Sequence, residues 1–335
     1  MDTISEPSES LDVVAHASAS TVSSLFENRA KLRPDAIAAT DGSRAFTYGL
    51  LRDRINRIAA LLGRYGIVRG ERIVVLCENR LEYLEIFLAA ARCGAIVACQ
   101  NWRLATAELH HCMTLAEPRL AFVSQTHAQA FHAADVSVPV ITFGPDYEDA
   151  LARSTDTHVR DVAQPEDPLL LLYTSGTTGL PKGALISHRA EIARNLVVRA
   201  EFGVAPDDTF VAWPPLYHMG AAEIALGTLM NGGKVIVVDG FDVGRLATIV
   251  GEESLGWLLI MPGMVEAFAQ ELERRSIKPK GVKLCGVMAD LVPPHLIARM
   301  TNLLGAPYAN TFGATETGCP PGSASSVPIG LEPTK

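Results

Sequence analysis

The sequence lacks cysteine pairs at C-x-x-C spacing and histidine clusters at zinc-ligand spacing, which argues against a structural zinc site or a redox pair. We interpret the cysteines as small buried apolar residues in a reducing compartment. They are Cys77, Cys93, Cys99, Cys112, Cys285 and Cys319.

Long hydrophobic runs are also missing. The most apolar stretch, residues 255–264, is interrupted by Gly256, Pro262 and Gly263 and is too short to cross a bilayer. The N-terminal residues MDTISEPSES are polar and acidic, so a secretory signal is not expected. We therefore expect a cytoplasmic protein with no integral membrane segment.

Positive charge is scarce as well. The 335 residues include 29 Lys and Arg against 37 Asp and Glu, a net charge of -8. A dedicated nucleic-acid binder needs a basic stripe for phosphates, so no nucleic-acid partner is expected. A few local donors are still enough to bind a small anionic ligand. Assembly into a homo-oligomer stays open.

What the chain does contain is a regular alternation of strand and helix patterns. Strand, helix and strand at short spacing form a βαβ unit, which implies a parallel sheet covered by helices. We predict an α/β fold of two doubly wound, mostly parallel sheets packed together, with helices on their faces. The predicted strands are 72–77, 95–99, 120–123, 138–143, 169–173, 210–213, 234–238, 257–261 and 282–286, and the predicted helices include 187–202, 221–231, 243–253 and 293–304.

Four segments are predicted from composition and from a restart of this pattern. Residues 1–20, rich in Ser, Ala and acidic residues, are expected to form a flexible leader. Residues 21–170 are the first α/β subdomain, and 171–320 are the second, with the nucleotide loop. Residues 321–335, dense in Pro, Gly and Ser, are expected to be a truncated tail.

The most informative stretch is LLLLYTSGTTGLPKG, residues 169–183, where an apolar strand runs into a loop rich in glycines, hydroxyls and one lysine. Glycine lets a backbone present its N–H groups to an anion, and hydroxyls and a lysine add donors and charge. Pro181 and Gly183 stand where a Walker loop requires Gly and Ser or Thr, so the loop is a phosphate site of another type.

The segment TSGTTGLPKG resembles the phosphate-binding signature of the adenylate-forming superfamily, which includes acyl-CoA synthetases. This resemblance covers roughly residues 20–330, and it implies that the loop cradles the phosphates of ATP. The implied phosphate-binding residues are Thr174, Ser175, Gly176, Thr177, Thr178, Gly179 and Lys182.

A second segment, residues 310–318 (NTFGATETG), resembles the family's aromatic-Gly-x-Thr-Glu motif. The resemblance implies that Phe312 stacks on adenine, Thr315 contacts the α-phosphate and Glu316 holds Mg²⁺. A hard carboxylate is a suitable Mg²⁺ ligand. Most members carry Tyr in place of Phe312, so a hydroxyl is lost here. Further implied nucleotide contacts are Asn310 and Gly313 and, from a looser match around 283–291, Gly286 and Ala289.

A third segment, residues 213–220 (WPPLYHMG), is similar to the family's Pro-Leu-aromatic-His motif. The resemblance places His218 beside the reacting carboxyl group, although a purely structural role for this histidine stays open. Met219, Gly220 and Cys319 are then expected to line the substrate pocket. The apolar character of these segments favours a fatty or aromatic acid over an amino acid.

The resemblance implies activation of a carboxylic acid by ATP to an acyl-adenylate, with coenzyme A as the second acceptor. Lys182, Thr315, Glu316 and His218 are the implied catalytic residues. The ribose-binding segment and the small C-terminal domain of relatives are not found, so we expect thioester synthesis to be incomplete in this chain alone. The alternatives are a non-catalytic nucleotide- or acyl-binding remnant that needs a partner chain and, less favoured, a peptide-synthetase adenylation domain.

Overall fold

A computed structural model describes residues 18–154, 159–174, 179–323 and 325–334. These residues form two sheets with helices packed on their faces, which confirms the predicted α/β class. The strands are β1 (Ile37–Thr40), β2 (Ala45–Thr47), β3 (Arg72–Leu76), β4 (Ile96–Cys99), β5 (Leu120–Val123), β6 (Val140–Thr142), β7 (Pro168–Thr174), β8 (Lys182–Ser187), β9 (Thr209–Ala212), β10 (Lys234–Val237), β11 (Leu255–Leu258), β12 (Val282–Cys285), β13 (Tyr308–Asn310) and β14 (Ser325–Val327).

The helices of the described part connect these strands and cover both sheets. In chain order they are α1 (Val22–Leu32), α2 (Tyr48–Arg64), α3 (Leu81–Cys93), α4 (Thr106–Ala116), α5 (Ala128–Ala133), α6 (Pro145–Ala152), α7 (His188–Phe202), α8 (Met219–Asn231), α9 (Val243–Glu252), α10 (Val265–Arg274) and α11 (Pro294–Leu304). None of the described helices is long and apolar enough to cross a membrane.

The smaller sheet has the order β6-β5-β3-β4-β7-β8, and only the pairing of β7 with β8 is antiparallel. Every residue of β4 and β5 is buried, as expected for parallel strands covered on both faces. That double burial is why these strands read as continuous apolar runs in the sequence.

The larger sheet has the order β14-β13-β12-β11-β9-β10-β1-β2, parallel from β13 to β1 with an antiparallel strand at each edge. Its β1 and β2 come from the N-terminal part of the chain, and Ala39 pairs with Val235. Strands from both sides of the proposed division at 170 and 171 therefore share this sheet, and that division falls inside β7. The subdomain boundaries stay a prediction.

Helix α3 is buried around nearly its whole circumference, which is typical of a helix in the centre of a fold. Its two buried carboxylates, Glu82 and Glu85, are both paired. Arg44 donates to Glu82 at 2.7 Å, and Arg54 pairs with Glu85, which also accepts from the hydroxyl of Tyr147 at 2.6 Å. Burial opposes the charge on Glu82, but bonds from Arg44 and Arg80 lower its pKa to about 2.

Candidate active site

A cavity of about 600 Å³ lies at one edge of the larger sheet. It is walled by the segments that follow four neighbouring parallel strands, β9, β11, β12 and β13, and by residues of α7 and α8. In open α/β sheets the carboxyl ends of strands form the crevice that takes ligands. The size suits a small-molecule ligand.

One wall is the predicted acyl segment after β9, because His218, Met219 and Gly220 all line the cavity. His218 is also the N-cap of α8, and its Nδ1 accepts a hydrogen bond from the Gly220 amide at 3.2 Å. The ring is open to water through the cavity, yet the surrounding protein desolvates it and lowers its pKa. A neutral ring that accepts at Nδ1 carries its proton on Nε2.

The loop before His218 is fixed by Asn79, a residue from the segment after β3. Its side-chain amide nitrogen, which has two hydrogens to donate, lies 2.8–3.1 Å from the carbonyl oxygens of Ala212, Trp213, Pro214 and Val238. Its amide oxygen accepts from the backbone of Leu216 at 2.8 Å. Asn79 thereby fixes the backbone of the cavity wall that precedes His218. No sequence motif indicated this role of Asn79.

The opposite wall is the loop after β13, and Phe312, Gly313, Thr315 and Cys319 line the cavity there. The loop folds back on itself, since the Gly318 amide donates to Ala314 at 2.8 Å. A side chain at Gly313 would press on the Gly318 carbonyl, so this close approach requires glycine. Phe312 is 70% exposed and has a free face for a planar ligand.

The predicted metal ligand Glu316 lies on the same loop and is exposed to solvent. Among the described residues no group of three or more His, Cys, Asp or Glu side chains could hold a metal ion. A single accessible carboxylate fits Mg²⁺, which keeps several waters and is commonly held by one or two carboxylates together with substrate phosphates. The assignment of Glu316 as a Mg²⁺ ligand stays a prediction, and its single carboxylate fits an ion that substrate phosphates also hold.

The floor of the cavity carries a buried ion pair between two helices. Arg194 of α7 donates to Glu223 of α8 at 2.5 Å, and the two side chains are 11% and 8% exposed. Next to them Asn195 donates to the buried carboxylate of Glu191 at 2.8 Å and to the Glu223 carbonyl at 3.3 Å. Two buried carboxyl groups thus lie close to one arginine, and of the two only Glu223 lines the cavity.

Burial raises the pKa values of both carboxyl groups. Burial raises the pKa of Glu223 to about 7, although Arg194 opposes the shift. Burial and the nearby Glu223 raise the pKa of Glu191 well above its usual range. Burial raises the pKa of the Cys319 thiol, and the Glu223 carboxylate adds to that shift.

We expect this site to make the protein less stable as pH rises from 5 to 8. Between the ordinary pKa of about 4.5 and the raised value of about 7, the folded state binds a proton at Glu223 that the unfolded chain has lost. The wild type should lose unfolding free energy on the order of 2 kcal/mol over this pH range because of Glu223, and Glu223→Gln should not show this loss. Urea unfolding of both proteins at pH 5 and 8 measures this difference. The same change in unfolding free energy with pH in both proteins would contradict the prediction.

The predicted phosphate loop lies between β7 and β8, and Thr174 pairs with Lys182 at the end of this hairpin. Gly179 has φ of 123°, a backbone conformation that favours glycine. Lys182 is exposed, and no carboxylate of the described residues lies within ion-pair distance of it. Thr174, Gly179 and Lys182 are not part of the cavity wall. The remaining residues predicted here, Ser175, Gly176, Thr177 and Thr178, lie outside the described residues.

After β12 the structure brings Val287 and Met288 to the cavity wall, whereas Gly286 and Ala289 do not line it. Ala289 is buried in the core behind the wall. Met288 has a left-handed φ of 49°, an unusual conformation for a non-glycine residue that often occurs at functional sites. Asn310, at the end of β13, donates to Asp290 at 3.4 Å. The assignment of Gly286, Ala289 and Asn310 to nucleotide binding stays a prediction.

Several cavity residues carried no motif and were not predicted. Some could have been found by noting which residues follow the carboxyl end of β11, since parallel strands end at one edge. Arg194 and Glu223 lie inside helices, where the sequence gives no sign of a partner. The unpredicted cavity residues include Arg194, Glu223, Ile224, Trp257, Leu259 and Met261.

Comparison with known proteins adds three findings. Residues 26–330 match the family model described as AMP-binding enzyme. The chain is 28% identical over 313 residues to the sulfoacetate–CoA ligase of Cupriavidus necator, covering 90% of this chain and 60% of that protein. It is 31% identical over 292 residues to the feruloyl-CoA synthase of an Amycolatopsis species, covering 86% of this chain and 58% of that protein.

Among solved structures, the N-terminal domain of FACL13 from Mycobacterium tuberculosis superimposes with a TM-score of 0.80 at 21% identity. The match covers 89% of this chain and 76% of that domain, and at this identity it shows a shared fold. The chain spans about three-fifths of the length of the curated relatives it matches.

Proposed function

The chain belongs to the AMP-binding enzyme family, and from that premise we propose that it activates a hydrophobic carboxylic acid with ATP to an acyl-adenylate for transfer to coenzyme A. The observation that carries the proposal is the shared cavity. Its walls join His218, Met219 and Gly220 to Phe312, Gly313 and Thr315, about a hundred residues later in the chain. One cavity therefore brings the proposed acyl and nucleotide contacts together.

The proposed reaction is a displacement at phosphorus. An oxygen of the acid's carboxylate forms a bond to the α-phosphorus of ATP, and the bond from that phosphorus to the oxygen bridging the β-phosphate breaks. The electron pair leaves with pyrophosphate. Such chemistry depends mainly on positioning and on stabilising charge.

The side chains of this chain have separate roles in that step. The Nε2–H of neutral His218 donates to the acid's carboxylate and aims it across the cavity. Thr315 holds the α-phosphate near this carboxylate, and Phe312 stacks on the adenine of ATP. Lys182 contributes positive charge to the departing phosphates. Glu316 would hold Mg²⁺, and a bound Mg²⁺ would neutralise phosphate charge.

The cavity supports a fatty or aromatic acid as the substrate class. Most of its wall is apolar, with Trp257, Leu259, Met261, Val287 and Ile224 facing the space. The polar groups are concentrated at His218, Thr315 and the Arg194–Glu223 pair. A hydrophobic acyl group would bury apolar surface at roughly 25 cal/mol per Å². The ammonium group of a free amino acid would need an acidic partner, and the Glu223 carboxyl group of the lining is already paired with Arg194.

The test is pyrophosphate exchange into ATP with Mg²⁺ and a panel of fatty, aromatic and amino acids. We expect exchange that depends on the acid and is strongest with a fatty or aromatic one. Calorimetry with ATP and Mg²⁺ is run beside it. Binding of nucleotide without exchange for any acid would contradict the proposed activity and favour a binding remnant.

A further inference from the structure

The guanidinium group of Arg194 has three partners in two segments that are distant from it in the sequence. Its Nη1 contacts the Glu223 carboxylate at 2.5 Å and the Thr315 carbonyl oxygen at 3.2 Å. Its Nη2 donates to the carbonyl oxygen of Glu316 at 2.8 Å. The side chain thus joins α7 to α8 and to the backbone of the loop after β13.

The same loop packs on the aliphatic part of Arg194. Gly318 has φ of 65°, and a Cβ atom there would lie 2.7 Å from Arg194 Cδ. Only glycine permits the loop to lie this close to the arginine stem at that backbone angle. The loop therefore contacts both the guanidinium group and the aliphatic part of the Arg194 side chain.

Arg194 is itself held in place from below. Glu223 is almost fully buried, and hydrogen bonds to charged groups in such surroundings are stronger than those in water. Asn195, the next residue of α7, donates to the Glu223 carbonyl at 3.3 Å and ties the two helices together. A buried hydrogen-bond acceptor and two packed helices leave the guanidinium group little freedom to turn.

We infer that Arg194 is a positioning residue that fixes the loop carrying Thr315 and Glu316 against the cavity floor, with Glu223 as its buried hydrogen-bond partner. Its planar fork reaches two successive carbonyl oxygens, which a single ammonium group cannot do with the same geometry. The inference rests on the proposed function for its effect on adenylation, but the ordering of the loop is a property of the protein alone.

The first test is hydrogen–deuterium exchange of the unliganded protein. In Arg194→Met we expect exchange across residues 311–319 to become faster by on the order of tenfold, because local opening no longer breaks charge-assisted bonds. Arg194→Lys, which keeps the charge, should give a smaller increase. Peptides covering β9 should be unchanged, which separates loop release from global unfolding.

The matched control is Arg189→Met, on the same helix. Arg189 pairs with Glu166 at the surface, where both side chains are more than half exposed, so its loss should leave the loop unaffected. Equal exchange of residues 311–319 in wild type, Arg194→Met and Arg194→Lys would overturn the inference. An equal increase of the exchange rate of these residues in Arg189→Met and in Arg194→Met would also overturn it.

The second test uses pyrophosphate exchange. Loop positioning predicts that Arg194→Met lowers the maximal rate by on the order of tenfold or more, with a smaller change in the KM for the acid. Arg194→Lys should recover part of the rate. A higher KM for the acid at an unchanged maximal rate would overturn the inference, because it would mean direct contact with the acid. If Arg194→Met speeds hydrogen–deuterium exchange in residues 311–319 but the wild type shows no pyrophosphate exchange, the positioning role is supported and the proposed function is contradicted.

Discussion

Glu316→Gln is expected to reduce the maximal rate of acid-dependent pyrophosphate exchange by on the order of a hundredfold to a thousandfold. The change removes one negative charge and keeps the shape of the side chain. The Glu316 side chain is exposed, and its carbonyl oxygen still accepts from Arg194. The fold should therefore be unaffected, and the loss should come from weaker retention of Mg²⁺ beside the phosphates.

The matched control for this change is Glu266→Gln, an exposed glutamate of α10 that lies outside the cavity wall. It should exchange pyrophosphate at the wild-type rate. The two variants are compared across a range of Mg²⁺ concentrations. An unchanged rate and an unchanged Mg²⁺ dependence in Glu316→Gln would show that this carboxylate has no part in the reaction.

Gly286→Ala is expected to destabilise the protein by about 3 kcal/mol or more, because a strained backbone and an overfilled core add together. Gly286 has φ of 72°, and a Cβ atom there would overlap the ring of Tyr308. That ring is fully buried, and Trp257 donates to the Gly286 carbonyl at 2.9 Å, so neither neighbour can move freely. Urea unfolding measures the loss.

Gly305 provides the comparison, since it ends α11 with φ of 62° but has open space where a Cβ atom would lie. Gly305→Ala should show only the cost of the left-handed backbone, about 1 kcal/mol. The difference between the two variants isolates the clash with Tyr308. Equal losses would contradict the packing role of Gly286.

The strands of the two sheets were largely predictable from the sequence. Parallel strands covered on both faces are expected to be apolar along most of their length. β4 and β5 are apolar throughout, and β3 and β9 are apolar after their first residue. The edge strands were harder. In β8 only Ala184 and Ile186 are buried, and in β2 only Phe46 is buried, so neither contains a distinctive apolar run.

Parts of the cavity were predictable because motifs and strand ends coincide. His218 follows β9 and Thr315 follows β13, and parallel strands of one sheet end at the same edge. The prediction of a Gly286 contact with the nucleotide came from a loose match. In the structure this glycine makes room for Tyr308, a requirement that depends on a ring more than twenty residues away.

The floor of the cavity could not be predicted in the same way. Arg194 meets Thr315 and Glu316 across more than 120 positions of sequence, and its pairing with Glu223 depends on how two helices pack. A buried glutamate is also indistinguishable in sequence from an exposed one. Charged residues inside helices gain such roles only through tertiary structure.

The most direct test of the central claim is pyrophosphate exchange by the unaltered chain, with and without a carboxylic acid, in the presence of ATP and Mg²⁺. If the cavity holds the acid beside the α-phosphate, a fatty or aromatic acid should raise exchange well above the acid-free background. Omission of Mg²⁺ should abolish the increase. Exchange that stays at background for every acid tested would contradict the claim that this cavity activates carboxylic acids.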